Sequence, residues 1–225
     1  MNLTQTFNDP AAVANYAERP KRQVPGFVDL QRMAMLLLAE HAHGAADILV
    51  LGAGGGLELK VFAEAQQDWR LLGVDPSAAM LDLARSTLGP LQSRVELVEG
   101  TIDAAPLVRF DGATCLLTLH FLPRQERLRT LRELHRRLKP GAPLVVAHHS
   151  YPAGEAGHRW LSRFAAFAAF NGIEADMAAA MPAALAEHLP ALSPDEDEAL
   201  LCEAGFSDVA LFYAAFTFRG WVARA

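Results

Sequence analysis

The stretch Ile48-Leu49-Val50-Leu51-Gly52-Ala53-Gly54-Gly55-Gly56 decides the fold of this chain. Its apolar half runs directly into a glycine cluster, and Leu57 then opens a segment with apolar residues at helical spacing. Glycine has no Cβ, so it can turn sharply while a ligand lies against its backbone. The pattern therefore predicts a strand, a tight turn and a helix, with a ligand over the turn.

An acid at the end of the next predicted strand strengthens this interpretation. Asp75 follows the apolar run 69–74, and its carboxylate can accept hydrogen bonds from both hydroxyls of a ribose. The structural alternative is a tight turn followed by a helix N-cap made by Asp75 and Ser77. A dinucleotide fingerprint needs its third glycine at position 57, where the chain has Leu57, so the spacing disfavours a nicotinamide cofactor.

Strand and helix signals alternate along the chain, which predicts an α/β fold with a doubly wound, mostly parallel sheet. A pair of β-rich runs at the end predicts an antiparallel hairpin, giving seven strands. We expect one domain over residues 1–225, with an N-terminal helical cap (1–43) and a helical insertion after the fifth strand (151–204). The predicted strands are 47–51, 69–74, 95–98, 112–117, 143–147, 208–213 and 216–223, and the main predicted helices are 27–41, 57–66, 78–88 and 123–138.

Composition and charge restrict the partners. The 225 residues are 52% hydrophobic, enough for one sizeable core, and the formal net charge of −6 does not favour nucleic acid. Arginines between Arg124 and Lys139 alternate with leucines at helical spacing, which predicts a solvated helix face rather than an RNA-binding strip. The apolar insertion leaves a homodimer open.

The chain lacks a signal-like N-terminus and any apolar run of membrane-spanning length, so we expect the cytoplasm and no membrane contact. Cys115 and Cys202 show no metal-ligand spacing, and both are predicted to be reduced and buried. No metal is expected.

Taken together, the motifs resemble those of the class I S-adenosylmethionine-dependent methyltransferases over nearly the whole chain. Ile48 to Gly56 is similar to the first motif of that family, and Leu71 to Met80 is similar to the second. The third and fourth motifs are matched by Val95 to Ile102 and by Phe110 to Leu122. The segment from Arg137 to Gly141 is similar to the turn before the fifth strand.

The resemblance implies an enzyme that transfers a methyl group from S-adenosylmethionine to an oxygen or nitrogen of a small, partly apolar molecule. Asp75 would bind ribose, the glycine turn would approach the methionine part, and Met80, Thr101 and Ile102 would border adenine. The full set of implied cofactor-binding residues is Gly52, Ala53, Gly54, Gly56, Asp75, Pro76, Met80, Thr101, Ile102, Leu117, Tyr16 and Arg22.

Two departures from the family pattern bear on cofactor binding. The family usually has an acid two residues before the first glycine, where this chain has Val50. The acid that commonly follows Gly100 is replaced by Thr101, and Asp103 is a candidate substitute. Arg22 could pair with the methionine carboxylate, the alternative being a surface arginine. Because the acid is absent at Val50, a second interpretation remains, in which the chain is a non-catalytic nucleoside-binding module.

A narrower resemblance points to the enzymes that make carboxy-S-adenosylmethionine for wobble-uridine modification. It rests on Tyr16, Arg22, the segment 24–27 and Gly205-Phe206. The polar trio that holds the extra carboxylate in that subfamily corresponds here to Phe27, Leu116 and Leu200. An unpaired buried carboxylate is costly, so we expect the ordinary methyl donor, with carboxy-donor synthesis or tRNA modification as the alternative.

Candidate acceptor-side residues follow the fourth and fifth predicted strands. His120 and His149 are the candidate general bases, since histidine titrates near neutrality, although a structural role is at least as plausible for each. Methyl transfer often needs no strong base, because the sulfonium is already activated. The aromatic residues of the insertion line either a substrate pocket or a core; they are Trp160, Phe164, Phe167 and Phe170.

Overall fold

The computed structural model describes residues 18–225 and contains one seven-stranded sheet with the strand order β3-β2-β1-β4-β5-β7-β6. The first five strands pair in parallel, and β7 lies antiparallel to both β5 and β6. The mostly parallel sheet with a C-terminal antiparallel hairpin is therefore confirmed. The strands are β1 (Ala46–Leu51), β2 (Trp69–Asp75), β3 (Val95–Glu99), β4 (Gly112–Leu116), β5 (Pro143–His149), β6 (Ser207–Ala215) and β7 (Phe218–Arg224).

Eight α-helices accompany the sheet within residues 18–225. Two of them begin at a capping serine: Ser77 accepts a hydrogen bond from Met80 N, and Ser193 forms a capping box with Glu196. The helices are α1 (Arg19–Gln23), α2 (Phe27–Ala39), α3 (Leu57–Ala65), α4 (Ala78–Leu88), α5 (Arg124–Arg136), α6 (Gly154–Phe170), α7 (Ala175–His188) and α8 (Pro194–Glu203).

The sheet is covered on both faces, as its continuous apolar strands require. Successive residues of β1 alternate between two cores: Ile48 and Val50 enter the first, Leu49 and Leu51 the second. Helices α2 and α3 contribute to the first core, and α5 and α8 contribute to the second. The glycine turn thus leaves a strand that is fixed from both sides.

The differences from prediction lie near the carboxyl edge. Strand β5 continues through His148 and His149, because both pair with the late strand β7, at Arg219 and Phe218. The hairpin turn lies at Phe216 and Thr217, which were expected to begin the last strand. The insertion contains a third helix, α8, whose start at Ser193 the alanine-rich pattern had hidden.

A buried ion network ties α8 to the sheet. Arg127 Nη1 of α5 lies 2.5 Å from Asp197 Oδ1 of α8, and His148 Nε2 of β5 lies 3.2 Å from the same oxygen. Arg127 also donates to Pro190 O, 3.0 Å away. Together these contacts fix the C-terminal part of the insertion to the centre of the fold.

Two further expectations concern the surface. Cys115 is buried as predicted, but the prediction for Cys202 is wrong, because this thiol lies on the exposed side of α8. Leu200 and Leu201 occupy the buried side of the same helix. Within the part of the chain that the structure describes, no helix is both long and apolar enough to cross a membrane.

Candidate functional site

The glycine turn lies between the ends of β2 and β4. Gly52 N and Ala53 N both donate to Val74 O, at 2.8 and 3.1 Å. Gly52 has φ +78°, and a Cβ at this position would overlap the side chain of Thr118. Both the left-handed backbone and the close approach require glycine here.

Asp75 is held under this turn. Its Oδ2 accepts from Gly54 N at 2.8 Å and its Oδ1 from Ser77 N at 2.9 Å. Burial raises the pKa of Asp75, and these two hydrogen bonds oppose the rise. The N-cap of α4 is made by Ser77, so Asp75 is not required for capping. Each carboxylate oxygen keeps a lone pair, which suits the two hydroxyls of a ribose.

The residues predicted to border adenine have different environments. Pro76 and Thr101 are exposed, whereas Met80 and Ile102 are almost fully buried. Arg129 Nη1 contacts both oxygens of Asp103 at 2.8 and 3.0 Å, and this contact lowers the pKa of Asp103. The Asp103 carboxylate is therefore already engaged by a cation.

Leu117 holds the end of β4 in an uncommon conformation. Its φ is +55°, and its N–H donates to Ala147 O at 2.5 Å. A left-handed leucine is strained, and such strain collects at functional sites. The bend turns the chain towards Thr118, the residue that the glycine turn approaches.

The two N-terminal residues proposed for the cofactor fall differently. Tyr16 lies outside the described residues. Arg22 lies on α1, is exposed, and donates to Gly172 O in the α6–α7 connection at 3.3 Å. This contact joins the N-terminal cap to the insertion, and the proposed pairing with the cofactor carboxylate stays a prediction.

His120 and His149 are brought together at the carboxyl ends of β4 and β5. His149 N donates to His120 Nδ1 at 3.1 Å, and His149 Nδ1 lies 2.9 Å from Thr217 Oγ1. Burial lowers the pKa of His149 to about 3, and burial together with His149 lowers that of His120 well below its usual value. Both rings are neutral at physiological pH and weakly basic.

Aromatic rings surround this histidine pair. His149 stacks on Phe218 with ring centroids 4.0 Å apart and meets Phe164 edge-on at 5.3 Å. Phe164 is thus core, whereas Phe170 is 90% exposed and contributes to neither core nor pocket. Trp160 lies half-buried, with the guanidinium of Arg163 4.4 Å from its ring centroid and that of Arg219 5.7 Å away.

Sequence reasoning missed two polar residues beside the glycine turn. Glu58, the second residue of α3, is buried and accepts a hydrogen bond from the hydroxyl of Thr114 on β4. Thr118, after β4, forms the wall against Gly52. The available signal was an acid in the first turn of a helix that opens on a glycine turn.

Two surface clefts lie away from the glycine turn. The larger, about 540 Å³, lies at the amino edge of the sheet and is lined by Asp111, Lys139 and Arg224 among others. A smaller groove of about 210 Å³ runs along the insertion past Tyr151 and Leu161. Ligands of open parallel sheets bind at the carboxyl edge, so the larger cleft is not assigned to the cofactor.

Known proteins share both sequence and fold with this chain. A family profile described as a methyltransferase domain matches residues 48–141. A carboxy-S-adenosyl-L-methionine synthase from Chromohalobacter salexigens is 30% identical over 223 residues, which cover 96% of this chain and 82% of the relative.

Solved structures extend the fold likeness. Magnesium protoporphyrin IX methyltransferase from Synechocystis PCC 6803, with bound S-adenosylhomocysteine, superposes with a TM-score of 0.69 at 13% identity over 99% of this chain and 97% of that one. The S-adenosylmethionine-dependent methyltransferase SibL superposes with a TM-score of 0.61 at 18% identity. The superposition covers 88% of this chain and 56% of that longer protein. The glycine turn, the buried Asp75 and the sequence relationship thus agree that this chain is an enzyme of the class I S-adenosylmethionine-dependent methyltransferase family.

Proposed function

We propose that this enzyme transfers the methyl group of S-adenosylmethionine to an oxygen or nitrogen of a small, partly apolar molecule. One observation carries the proposal: neutral imidazoles and aromatic rings pack together at the carboxyl ends of β4 and β5. His149 lies among Phe164, Phe218 and Tyr151, with ring centroids 4.0 to 6.5 Å away. Apolar, uncharged surroundings at this edge favour an uncharged acceptor over a polyanion.

In this proposal the cofactor supplies the activated methyl group, and the chain supplies position. Gly52, Gly54 and Gly56 let the methionine part approach the backbone, and Asp75 orients the ribose. His120 and His149 exclude water and orient the acceptor. A pKa of about 3 makes His149 a weak base, which supports positioning over proton abstraction.

The charge distribution also supports a small-molecule acceptor. Arginines of the run 124–137 meet acids rather than forming a free strip: Arg124 pairs with Glu203, Arg129 with Asp103 and Arg136 with Glu133. Arg127 is fully buried. These pairings leave little unbalanced charge for a tRNA backbone.

Carboxy-S-adenosylmethionine synthesis is the second candidate, because the relative from Chromohalobacter salexigens carries that name at 30% identity. Phe27 and Leu116 lie in the first core, while Leu200 lies in the second, across the sheet. An apolar trio split between two faces supports the ordinary donor, since those positions offer an extra carboxylate no polar partner.

Mass spectrometry separates the two candidates. The cofactor released from denatured, purified protein should have the mass of S-adenosylmethionine or S-adenosylhomocysteine. The protein is then incubated with S-adenosylmethionine labelled in its methyl group and with neutral phenols, amines and carboxylic acids. Label in an acceptor supports methyl transfer. A carboxylated cofactor, with no label transferred to any acceptor, would support the second candidate instead.

We propose that residues 1–225 form one domain, with the cap at 1–43 and the insertion at 151–204 closing over the carboxyl edge. The hydrogen bond from Arg22 to Gly172 O supports contact between these two segments. A cytoplasmic location and a homodimer stay predictions, and the solution mass of the purified protein tests the homodimer.

A further inference from the structure

An acid is missing where the first motif usually has one. Val50 occupies that place, fully buried in β1 two residues before Gly52. The ammonium group of the methionine part of S-adenosylmethionine needs an acceptor, and valine cannot provide one. Another group near Val50 must supply it.

The carboxyl of Glu58 is a buried acid beside the glycine turn. It lies on α3, and the hydroxyl of Thr114 donates to its Oε1. Thr114 pairs with Val50 in the register of β1 and β4, so their side chains leave the same face of the sheet. The Glu58 carboxyl therefore lies in the layer into which an acid at position 50 would project.

The carboxyl has no basic partner in the part of the chain that the structure describes. Its hydrogen-bond partner is the Thr114 hydroxyl on β4, and its charge also acts on the buried thiol of Cys115, the next residue along that strand. Lys60 of α3 faces outward towards Glu64, 4.0 Å away, and Asp29 and Arg32 of α2 pair with each other at the surface. Glu58 is 7% exposed, and burial raises its pKa to about 8.

Burying a carboxyl group without a cationic partner lowers the stability of the fold, so we expect such an acid to have another role. Glu58 follows the glycine turn by two residues, and its bond runs sideways to β4 rather than back to the helix N–H groups as a cap would. Helix capping therefore does not explain it. A cationic ligand at the glycine turn would.

We propose that Glu58 is the acid that receives the methionine ammonium of the cofactor, in place of the acid absent at Val50. The inference rests on the assignment of S-adenosylmethionine to the glycine turn. As the ammonium arrives, the Glu58 carboxylic acid loses its proton to solvent and becomes the carboxylate partner. Cofactor binding is then coupled to release of a proton.

Calorimetry on Glu58→Gln tests this with two ligands. S-adenosylhomocysteine carries the ammonium, whereas 5′-methylthioadenosine has the same nucleoside and sulfur without the amino-acid part. We expect the variant to lose about tenfold in affinity for S-adenosylhomocysteine, as for one charge-assisted hydrogen bond, and to bind 5′-methylthioadenosine like the parent. The control is Glu64→Gln, an exposed glutamate of the same helix, which should change neither.

Proton release provides a second readout. At pH 6.5, S-adenosylhomocysteine is titrated in two buffers of different ionisation enthalpy, so that protons released on binding appear as a difference in heat. The parent should release close to one proton per ligand, because the ammonium is already formed at that pH, and Glu58→Gln should release almost none.

The outcomes separate the two claims. Equal weakening of both ligands, or no weakening of either, would overturn the role of Glu58 and leave the cofactor assignment in place. Proton release that persists in Glu58→Gln would do the same. If the parent protein binds neither ligand, the cofactor assignment fails and this inference fails with it.

Discussion

The two halves of the carboxyl edge are built in different ways. On the proposed donor side, where the cofactor would bind, Gly54, Asp75 and Ser77 are joined by hydrogen bonds between residues at most 21 positions apart. On the proposed acceptor side, His149 meets Thr217 across 68 positions, and Arg127 meets Asp197 across 70. The donor side is a local motif, whereas the acceptor side exists only once the insertion and the hairpin have docked.

The largest expected effect comes from breaking the buried ion network that fixes the insertion to the sheet. Asp197→Ala should remove about 3–5 kcal/mol from the free energy of unfolding, because it leaves buried Arg127 without its counter-ion. Urea denaturation measures the loss, with exposed Asp195→Ala on the same helix as the control. A loss below about 1 kcal/mol would show that the network does not hold the insertion.

Acid should weaken the same network. Burial alone would raise the pKa of Asp197, but His148 and Arg127 outweigh it and hold the pKa below its usual value. Because the pKa is lowered in the folded state, ionised Asp197 stabilises the fold at pH values above its unfolded-state pKa of about 3.9. This stabilisation disappears as the pH falls through the folded-state pKa. The parent should therefore lose more stability than Asp197→Ala between pH 5 and about pH 3. If the parent and Asp197→Ala lose the same free energy of unfolding over this pH range, the prediction is wrong.

The next effect sharpens the donor side. Asp75→Asn should weaken S-adenosylhomocysteine binding by about tenfold to a hundredfold, because the hydrogen bonds to ribose lose their charge. Unfolding measurements on the same variant establish that it remains folded. Asp82→Asn, on the exposed side of α4, is the matched control. Unchanged affinity in Asp75→Asn would remove the ribose assignment.

Close packing at the glycine turn should have a smaller effect. Gly52→Ala and Gly44→Ala both place alanine at positive φ, but only the Cβ at 52 meets Thr118. The variant at 52 should therefore be less stable than the variant at 44 by about 1–2 kcal/mol. Equal melting temperatures would mean that Thr118 at the end of β4 moves aside at little cost, and that the glycine turn is not rigid.

The smallest expected effect concerns the histidine pair. Because the pKa of His149 is about 3, the neutral ring is already the only populated form between pH 6 and 8. A plot of kcat/KM for methyl transfer against pH should therefore show no inflection in that range that depends on His149. Any inflection that the parent shows should also appear in His149→Asn. An inflection that disappears with His149 would restore it as a general base.

The sequence predicts the glycine turn and the elements around it well, because they depend on local backbone requirements. Gly52 must have positive φ, Asp75 ends a strand, and helix α4 was predicted at 78–88, the range it occupies. Resemblance alone identified the cofactor. The carboxyl of Glu58 was missed because its meaning depends on Thr114, which another strand brings beside it.

The surroundings of His149 are predicted less well, because they depend on segments far apart in the sequence. The extension of β5 to His149 follows from pairing with β7, near the end of the chain. The burial of His149 depends on Phe164 and Phe218, which come from the insertion and the hairpin. No local pattern around position 149 contains either ring, so its low pKa could not be predicted from sequence.

Every role proposed for these residues depends on S-adenosylmethionine binding at the glycine turn. The most direct test is calorimetric titration of the purified protein with S-adenosylmethionine and S-adenosylhomocysteine, with NAD as the control ligand. We expect saturable binding of the first two and none of NAD. Binding of NAD, or no binding of either sulfur nucleoside, would contradict this expectation.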